Sequence, residues 1–267
     1  GTRKLASGDL SGRVKTGTPV KELDELVGSF NTMADELAQR QESLDISNKK
    51  LIALNRSYLD LVGFVSHELQ GVLASITLNT YSLKEGLLGP ITAEQKKLLE
   101  SISKSLDHLG ATVSNFLDLS RIEKGELTLR KQQVSLKEDI FDVSKQHFSN
   151  QAQAKGIEVI NQIPAGLKIF ADPNLLKIVA NNLIGNAVKY GSSNGRIEIK
   201  AEMKDGGAVV EVYNDGVPID SKDMDKLFKK FSRLDVAATR TQKGTGLGLF
   251  ITKHIIESHG GDRKSVV

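Results

Sequence analysis

Apolar residues recur at an unbroken spacing of seven through the first quarter of the chain. The positions that share this spacing are Leu23, Phe30, Leu37, Leu44, Leu51, Tyr58, Val65 and Val72. A heptad pattern of this length is typical of a coiled coil and predicts one helix from Glu22 to Leu83. Because a single helix cannot bury such a seam, we expect a partner helix, and a second copy of the chain is the expected source.

A second long helix is predicted directly after the first. The glycines and proline of "EGLLGPIT" interrupt the heptads, as these residues do in turns. Thr92 and Gln95 then have the spacing of a capping box, which predicts a helix from Ala93 to about Lys124. A long helix, a short turn and a long helix make a hairpin, and two hairpins make a four-helix bundle.

The remainder of the chain alternates between short strands and helices. The predicted strands are "ELTLRKQQV", "IEVIN", "LKIFA", "RIEIKAEM" and "AVVEVYN". Ser135 and Glu138 are predicted to cap a helix that closes at Lys155-Gly156, and Asp172-Pro173 is predicted to begin another helix. The last two strands, joined by Asp205-Gly206-Gly207, form a predicted hairpin.

Composition and charge argue against nucleic-acid binding, thiol chemistry and a membrane span. The 36 basic and 33 acidic residues leave a net charge of +3, too small to indicate a nucleic-acid partner. The chain has no cysteine, which excludes disulfides and thiol catalysis. It has no uninterrupted apolar run of roughly 18 residues, so the sequence as it stands predicts a soluble chain.

Polar side chains interrupt the apolar helix "NLLKIVANNLIGNAVKYG". Asn182, Asn186 and Lys189 follow the i, i+4, i+7 spacing that puts them on one helix face. Amide oxygens suit a hard cation such as Mg²⁺, and an ammonium group suits phosphate. A solvated polar face explains the same spacing equally well.

Two glycine-containing segments follow this helix in the sequence. "GTGLGL" places Gly244, Gly246 and Gly248 at the entry to an apolar helix, where the backbone can approach a polyphosphate. In "VYNDGVPID", Asn214 or Asp215 could accept a hydrogen bond from an exocyclic amine. Phe228 and Phe231, considered alone, are predicted core residues. His108, His147, His254 and His259 lie in no motif and are predicted to be helix-surface or packed histidines.

The stretch "FVSHELQGVLASI" places His67 beside Glu68 within the first helix. A zinc-protease helix needs a second histidine one turn later, but Gly71 occupies that position. The residues alone leave two roles open for His67: a helix-surface or bundle-packed histidine, or a group that is itself modified.

In this order the motifs resemble those of a known family. "NNLIGNAVKYG", "NDGVPI", "LFKKFSRL" and "GTGLGL" are similar to the N, G1, F and G2 boxes of histidine-kinase ATP-binding domains, and "FVSHEL" resembles the phosphoacceptor box. The N-terminal "LASGDLSGRV" and "KELDELVGSFNTMADEL" resemble the second half of a HAMP linker. The chain is therefore identified as a member of the sensor histidine kinases of two-component systems.

The resemblance implies an α + α/β fold, with a long coiled-coil helix and a dimeric four-helix bundle before a GHKL (Bergerat) α/β sandwich. It implies a HAMP half and coiled coil at residues 1–45, a dimerisation and phosphotransfer domain at 46–131 and an ATP-binding domain at 132–267. The family pattern continues beyond "GGDRKSVV", so this domain is expected to lack its last two strands.

The resemblance also implies roles for individual residues. ATP with Mg²⁺ would phosphorylate His67, with Glu68 as general base, and the phosphoryl group would pass to a response-regulator aspartate. Asn186, with Asn182, would hold the metal. The remaining residues expected at the nucleotide are Lys189, Tyr190, Asn214, Asp215, Gly216, Ile219, Phe231, Arg233, Lys243, Gly244, Thr245, Gly246, Leu247, Gly248 and Leu249.

The chain departs from the family pattern at a few positions. Gln70, Gly71 and Val72 stand where the family has Arg or Lys, Thr or Asn, and Pro; the missing Thr or Asn predicts weak phosphatase activity. Asn214 replaces the adenine-binding Asp, which predicts a weaker hold on the base. Pro218 and Lys230 replace a glycine and a proline, respectively.

The expected partners are a second copy of the chain and a response-regulator receiver domain, with no nucleic acid. Transmembrane segments upstream would make this the cytoplasmic portion of an inner-membrane sensor. One alternative is an ATPase of the gyrase group, disfavoured because that group carries Glu where Asn182 stands. The other is a degenerate kinase that acts as a dimeric ATP-binding scaffold.

Overall fold

The computed structural model describes residue 14 and residues 21–204, 206–233 and 244–262. The chain forms two compact units, residues 1–61 and residues 62–267. Helix α1, Lys21–Lys84, runs through 64 residues, which confirms the helix predicted from Glu22 to Leu83.

In the first unit Val14 is hydrogen-bonded to a side chain of the helix. The side-chain amide of Asn31 accepts from the backbone N–H of Val14 over 3.0 Å and donates to the carbonyl of the same residue over 2.9 Å. Most of the apolar heptad residues are exposed, among them Leu23, Leu37, Leu44, Leu51 and Tyr58, whereas Phe30 is partly buried. This seam has the pattern that packs against another helix.

One 18-residue window of α1 is long and apolar enough to cross a membrane by length and composition, and 6% of that window is buried. The sequence prediction of a soluble chain rests on uninterrupted apolar runs, whereas this window tolerates up to two charged residues. A helix of a soluble bundle passes the same test.

The second unit begins with a helical hairpin. Gly86 and Gly89 have φ angles of 70° and 124° in the turn after α1. Helix α2, Ala93–Glu123, follows with the predicted capping box: the N–H of Gln95 donates to Oγ1 of Thr92 over 3.2 Å, and the N–H of Thr92 donates to Oε1 of Gln95 over 2.8 Å. Both predictions for this helix are confirmed.

A mixed α/β region follows the hairpin. Its elements are β1 (Gln132–Ser135), a π-helical segment (Leu136–Phe141), α3 (Asp142–His147), α4 (Ser149–Ala154), β2 (Glu158–Asn161), β3 (Lys168–Ala171), α5 (Pro173–Tyr190), β4 (Arg196–Lys204), β5 (Gly207–Asn214), a 3₁₀ helix (Ser221–Lys226) and α6 (Gly248–Ser258). Strands β1 and β3 pair antiparallel, and β4 lies between a parallel β2 and an antiparallel β5. The β4–β5 hairpin confirms its prediction.

One sequence prediction near β1 is wrong, and a second is confirmed only in part. The strand "ELTLRKQQV" forms only from Gln132, because its partner β3 has four residues and pairs with four. Ser135 is the N-cap residue of the helical segment, as predicted, and its hydroxyl donates to the Glu138 carboxylate, but it accepts no backbone N–H; its own N–H donates to Oδ2 of Asp139 over 2.8 Å at the start of a π-helical segment. The prediction of a helix start at Asp172-Pro173 is confirmed.

Two hydrophobic cores support the second unit. The larger core joins α5 to the sheets and includes Ile184, Ile197 and Ile199, each with no exposed surface. The smaller core joins Leu119 of α2 to α5 and α6; its other buried members are Val179, Leu247, Phe250, Ile251 and Ile255. A long helical region followed by a mixed α/β domain confirms the predicted fold class. The predicted lack of the last two strands concerns the chain after residue 262, outside the described residues.

Candidate active site

Helix α5 carries the three polar residues that the spacing singled out. Asn182 faces the first turn of α6, where its Nδ2 donates to the carbonyl of Gly248 over 3.1 Å and lies 3.4 Å from Oγ1 of Thr252. A Cβ atom on Gly248 would lie 3.0 Å from Oδ1 of Asn182, closer than ordinary van der Waals contact. Asn182 therefore joins the two helices directly.

Asn186 lies one turn further along the same face and is partly buried. Its side-chain amide has no hydrogen-bond partner within the described residues. A half-buried amide without an internal partner can accept a ligand, and an amide oxygen is a suitable ligand for Mg²⁺. The geometry therefore makes Asn186 a candidate cation ligand, whereas Asn182 is also held to α6 through its Nδ2.

Lys189 brings a positive charge to the glycine-rich segment. A Cβ atom on Gly244 would lie 2.7 Å from Nζ of Lys189, so the ammonium group lies against the backbone at that glycine. Nζ also lies 4.8 Å from the ring centroid of Tyr190. An ammonium group beside a glycine backbone is an arrangement that suits a phosphate group.

The glycine-rich segment packs closely on the "KFSR" turn. Gly246 has a φ of 71°, and a Cβ atom there would lie 2.7 Å from the carbonyl oxygen of Ser232 and 2.8 Å from the carbonyl carbon of Phe231. Both the positive φ and the close approach require glycine. The hydroxyl of Thr245 accepts from the N–H of Leu247 over 3.3 Å, and Leu247 itself is fully buried.

The segment after β5 lies beside the end of α5. Gly191 and Gly216 form an isolated antiparallel bridge, and a Cβ atom on Gly216 would lie 2.8 Å from the carbonyl oxygen of Tyr190 and 2.7 Å from Nδ2 of Asn214. Lys189, Tyr190, Asn214 and Gly216 are thus brought together, as the sequence predicts.

Asp215 has a different environment. Its Oδ1 accepts from the Tyr213 hydroxyl over 2.8 Å, and its Oδ2 accepts from the Arg196 N–H over 3.0 Å. The hydrogen bond from Tyr213, and then the one from the Arg196 backbone, lower the pKa of Asp215, and the same carboxylate raises the pKa of Tyr213. Both carboxylate oxygens of Asp215 already accept hydrogen bonds at the end of the β4–β5 hairpin. The geometry therefore favours Asn214 as the group that would contact the nucleobase.

Phe231, Ile219 and Arg233 are exposed. The side chain of Phe231 is 56% exposed, so the prediction that it is a core residue is wrong. The residue has a φ of 57°, and its ring centroid lies 6.5 Å from that of Phe116 on α2. Phe228 is partly buried. Lys243 lies outside the described residues.

His67 is on the surface of α1. Its side chain is 79% exposed, and Nδ1 lies 3.5 Å from Oε1 of Glu68. Within the single chain His67 is therefore a surface residue of the helix. No cluster of three potential metal-ligating side chains occurs among the described residues, so no metal site in that part of the chain accounts for His67.

The sequence reasoning missed contacts made by α2. Nδ2 of Asn115 lies 3.4 Å from Oγ1 of Thr245, and Oε1 of Glu123 lies 2.6 Å from Nζ of Lys230. These pairs are more than 100 residues apart in sequence, and no local spacing signals them. Helix α2 therefore contacts both the glycine-rich segment and the "KFSR" turn.

Three family models match the chain in sequence order. They are the HAMP domain at residues 1–39, the His Kinase A (phospho-acceptor) domain at 57–125 and the histidine kinase-, DNA gyrase B- and HSP90-like ATPase at 171–265. The fold and these three domain matches together define the histidine kinase family. The chain belongs to the sensor histidine kinases of two-component systems.

Individual relatives agree with this assignment. The circadian input-output histidine kinase CikA of Synechococcus elongatus is 28% identical over 89% of this chain and 32% of its own length. The sensor histidine kinase GacS of Pseudomonas protegens is 29% identical over 91% of this chain and 29% of its own length. A crystal structure of full-length ShkA in complex with AMPPNP matches with 26% identity and a TM-score of 0.59, over 75% of this chain and 41% of that one. The chain spans about a third of these curated relatives.

Proposed function

We propose that this chain transfers the γ-phosphoryl group of ATP to His67 and then to an aspartate of a response regulator. The observation that carries the proposal is the exposed His67–Glu68 pair on a helix that precedes an ATP-binding domain. An exposed imidazole can meet both a nucleotide and a receiver domain, whereas a packed one can meet neither.

The side chains around His67 suit a nucleophile. Because Nδ1 faces the Glu68 carboxylate, a proton on Nδ1 leaves Nε2 with the lone pair. Nε2 would bond to the γ-phosphorus as the bond from that phosphorus to the ADP oxygen breaks. Glu68 would hold the proton on Nδ1 and stabilise the positive charge that develops on the ring.

The nucleotide would lie between α5 and the glycine-rich segment. Lys189 would pair with phosphate beside Gly244, and the glycine backbone would approach the polyphosphate. Asn214 would accept from the exocyclic amine of adenine beside Gly216. The side-chain oxygen of Asn186, with Asn182 beside it, would hold Mg²⁺, which when bound neutralises charge on the phosphates.

We also propose the domain division expected from the sequence, with boundaries at residues 45 and 131. The exposed heptad seam of α1 supports a homodimer, since burying it needs another helix. The family supports a receiver domain as the second partner. The HAMP match supports a cytoplasmic kinase portion joined to a membrane-linked sensor.

Autophosphorylation with γ-labelled ATP and Mg²⁺ tests the proposal. His67→Ala is compared with His108→Ala, which removes another exposed histidine of the helical hairpin. We expect an acid-labile label that His67→Ala abolishes and His108→Ala retains. A chain that binds ATP and is never labelled would instead be a scaffold, and label retained in His67→Ala would place the acceptor elsewhere.

A further inference from the structure

The end of helix α5 is held by a side chain from a distant part of the domain. Nζ of Lys155 donates to the carbonyl oxygens of Val188 and Lys189, each over 2.8 Å. The last carbonyls of a helix have no donor within the helix. A cation there makes charge-assisted hydrogen bonds and complements the helix dipole.

The position of Lys155 is itself closely constrained. Its carbonyl accepts from the N–H of Asn194 over 2.9 Å. The next residue, Gly156, has a φ of 68°, and a Cβ atom there would collide with the side-chain oxygen of Asn194. The backbone around Lys155 and Gly156 thus packs directly against Asn194. This packing fixes the position from which the Lys155 side chain extends to the end of α5. The N–H of Gly191 donates to the carbonyl of Ala187 over 2.8 Å, so this carbonyl at the end of α5 has a donor as well.

The turn that Lys155 holds is the turn that carries the nucleotide contacts. Lys189 lies in it and extends to Gly244. The carbonyl of Tyr190 lies against Gly216, and Gly191 pairs with the same glycine. Movement of the last turn of α5 would therefore displace both the ammonium group of Lys189 and the segment at Gly216.

We infer that Lys155 is a positioning residue for nucleotide binding, which acts through the last turn of α5 without touching the nucleotide. This inference rests on the proposed function, since it concerns the same nucleotide site. No spacing in the sequence links residue 155 to residue 188; the sequence predicted only that a helix ends at Lys155-Gly156.

The test is the Kd of Mg²⁺-AMPPNP, measured by calorimetric titration of the whole chain at a temperature where every variant is folded by circular dichroism. Lys155→Met keeps the aliphatic stem and removes all donors, whereas Lys155→Arg keeps donors and charge. Lys168→Met is the matched control, because Lys168 is an exposed lysine of the same domain.

We expect Lys155→Met to weaken binding about 10-fold, equivalent to the loss of roughly one charge-assisted hydrogen bond. Lys155→Arg should bind within about 3-fold of wild type, and Lys168→Met should bind like wild type. The Kd of Lys155→Gln, which keeps a donor group without the charge, should lie between those of Lys155→Met and wild type. This variant also replaces Lys155→Met in the test if the latter does not fold.

A purely structural role gives a different result. The melting temperature of Lys155→Met would fall while its Kd stayed at the wild-type value, and this outcome would overturn the inference. Equal Kd values for Lys155→Gln and wild type would overturn it as well. Wild-type chain that binds no nucleotide would overturn the proposed function, and the inference with it, so the two failures are distinguishable.

Discussion

Nδ2 of Asn182 donates to the main-chain carbonyl of Gly248 over 3.1 Å, which ties the middle of α5 to the first turn of α6. Asn186, one turn away, has no such bond among the described residues. Two asparagines on one helix face therefore differ in what they contribute. Asn182 supports the architecture of the site, whereas Asn186 is the proposed ligand of the cation.

This difference predicts separate effects for the two alanine variants. Asn186→Ala should abolish autophosphorylation while changing the free energy of unfolding by less than about 0.5 kcal/mol. Asn182→Ala should also lose activity but cost roughly 1 kcal/mol of stability, because the Gly248 carbonyl loses its donor. Urea unfolding and labelling measured on the same samples check both effects. An equal loss of stability in the two variants would contradict the division of roles.

Gly71 lies within α1, and a Cβ atom there would meet nothing within 4 Å. A larger side chain is therefore accommodated, and Gly71→Thr introduces the residue type that the family carries at this position. We expect wild type to dephosphorylate a phosphorylated receiver domain slowly and Gly71→Thr to do so faster.

The control for this prediction is Gly71→Ala. Alanine should stabilise the helix by up to about 1 kcal/mol through its propensity without increasing the rate of dephosphorylation. If Ala and Thr increase the rate equally, helix stability rather than the side-chain oxygen is responsible. A wild-type rate equal to that of Gly71→Thr would show that Gly71 does not limit the reaction.

Asp172 is buried at the start of α5 and accepts hydrogen bonds from the N–H groups of Arg130, Asn174 and Leu175. Burial opposes its charge, but the backbone hydrogen bonds, that from Arg130 first, outweigh burial and lower the pKa of Asp172. A lowered folded-state pKa means that this carboxylate stabilises the fold above its unfolded pKa of about 3.9. The contribution disappears as the pH falls through the folded-state pKa.

Asp172→Asn should therefore lower the free energy of unfolding by about 1–2 kcal/mol at pH 7. The difference from wild type should shrink as the pH falls below about 4. Urea unfolding across this pH range measures it, with Asp107→Asn, an exposed aspartate on α2, as the control. A difference that stays constant with pH would show that shape rather than charge is responsible.

Asn214 offers a neutral acceptor where the family carries a carboxylate. Hydrogen bonds to a charged acceptor are roughly twice as strong as neutral ones, so Asn214→Asp should tighten ATP binding by about 3-fold to 10-fold. Titration with ATP checks this, with Asp215→Asn as the comparison. If Asp215→Asn weakens binding and Asn214→Asp has no effect, Asp215 rather than Asn214 contacts the base.

The sequence alone predicted the features that depend on near neighbours. Heptad spacing predicted α1 to within a residue at each end, and Thr92 with Gln95 predicted the start of α2, because caps and helix faces are set by residues three to seven positions apart. Asp172 with Pro173 predicted the start of α5 for the same reason. The ordered motifs also predicted the class of protein.

Only the tertiary structure decided the features that depend on distant partners. A strand extends as far as its partner does, so β1 is shorter than its composition suggests. Phe231 is exposed because the turn that carries it packs through its backbone against Gly246. Asn182 and Gly248, Asn115 and Thr245, and Lys155 and Val188 are far apart in the sequence. No local spacing records such contacts, since folding of the whole domain is what brings these residues within a few ångströms of each other.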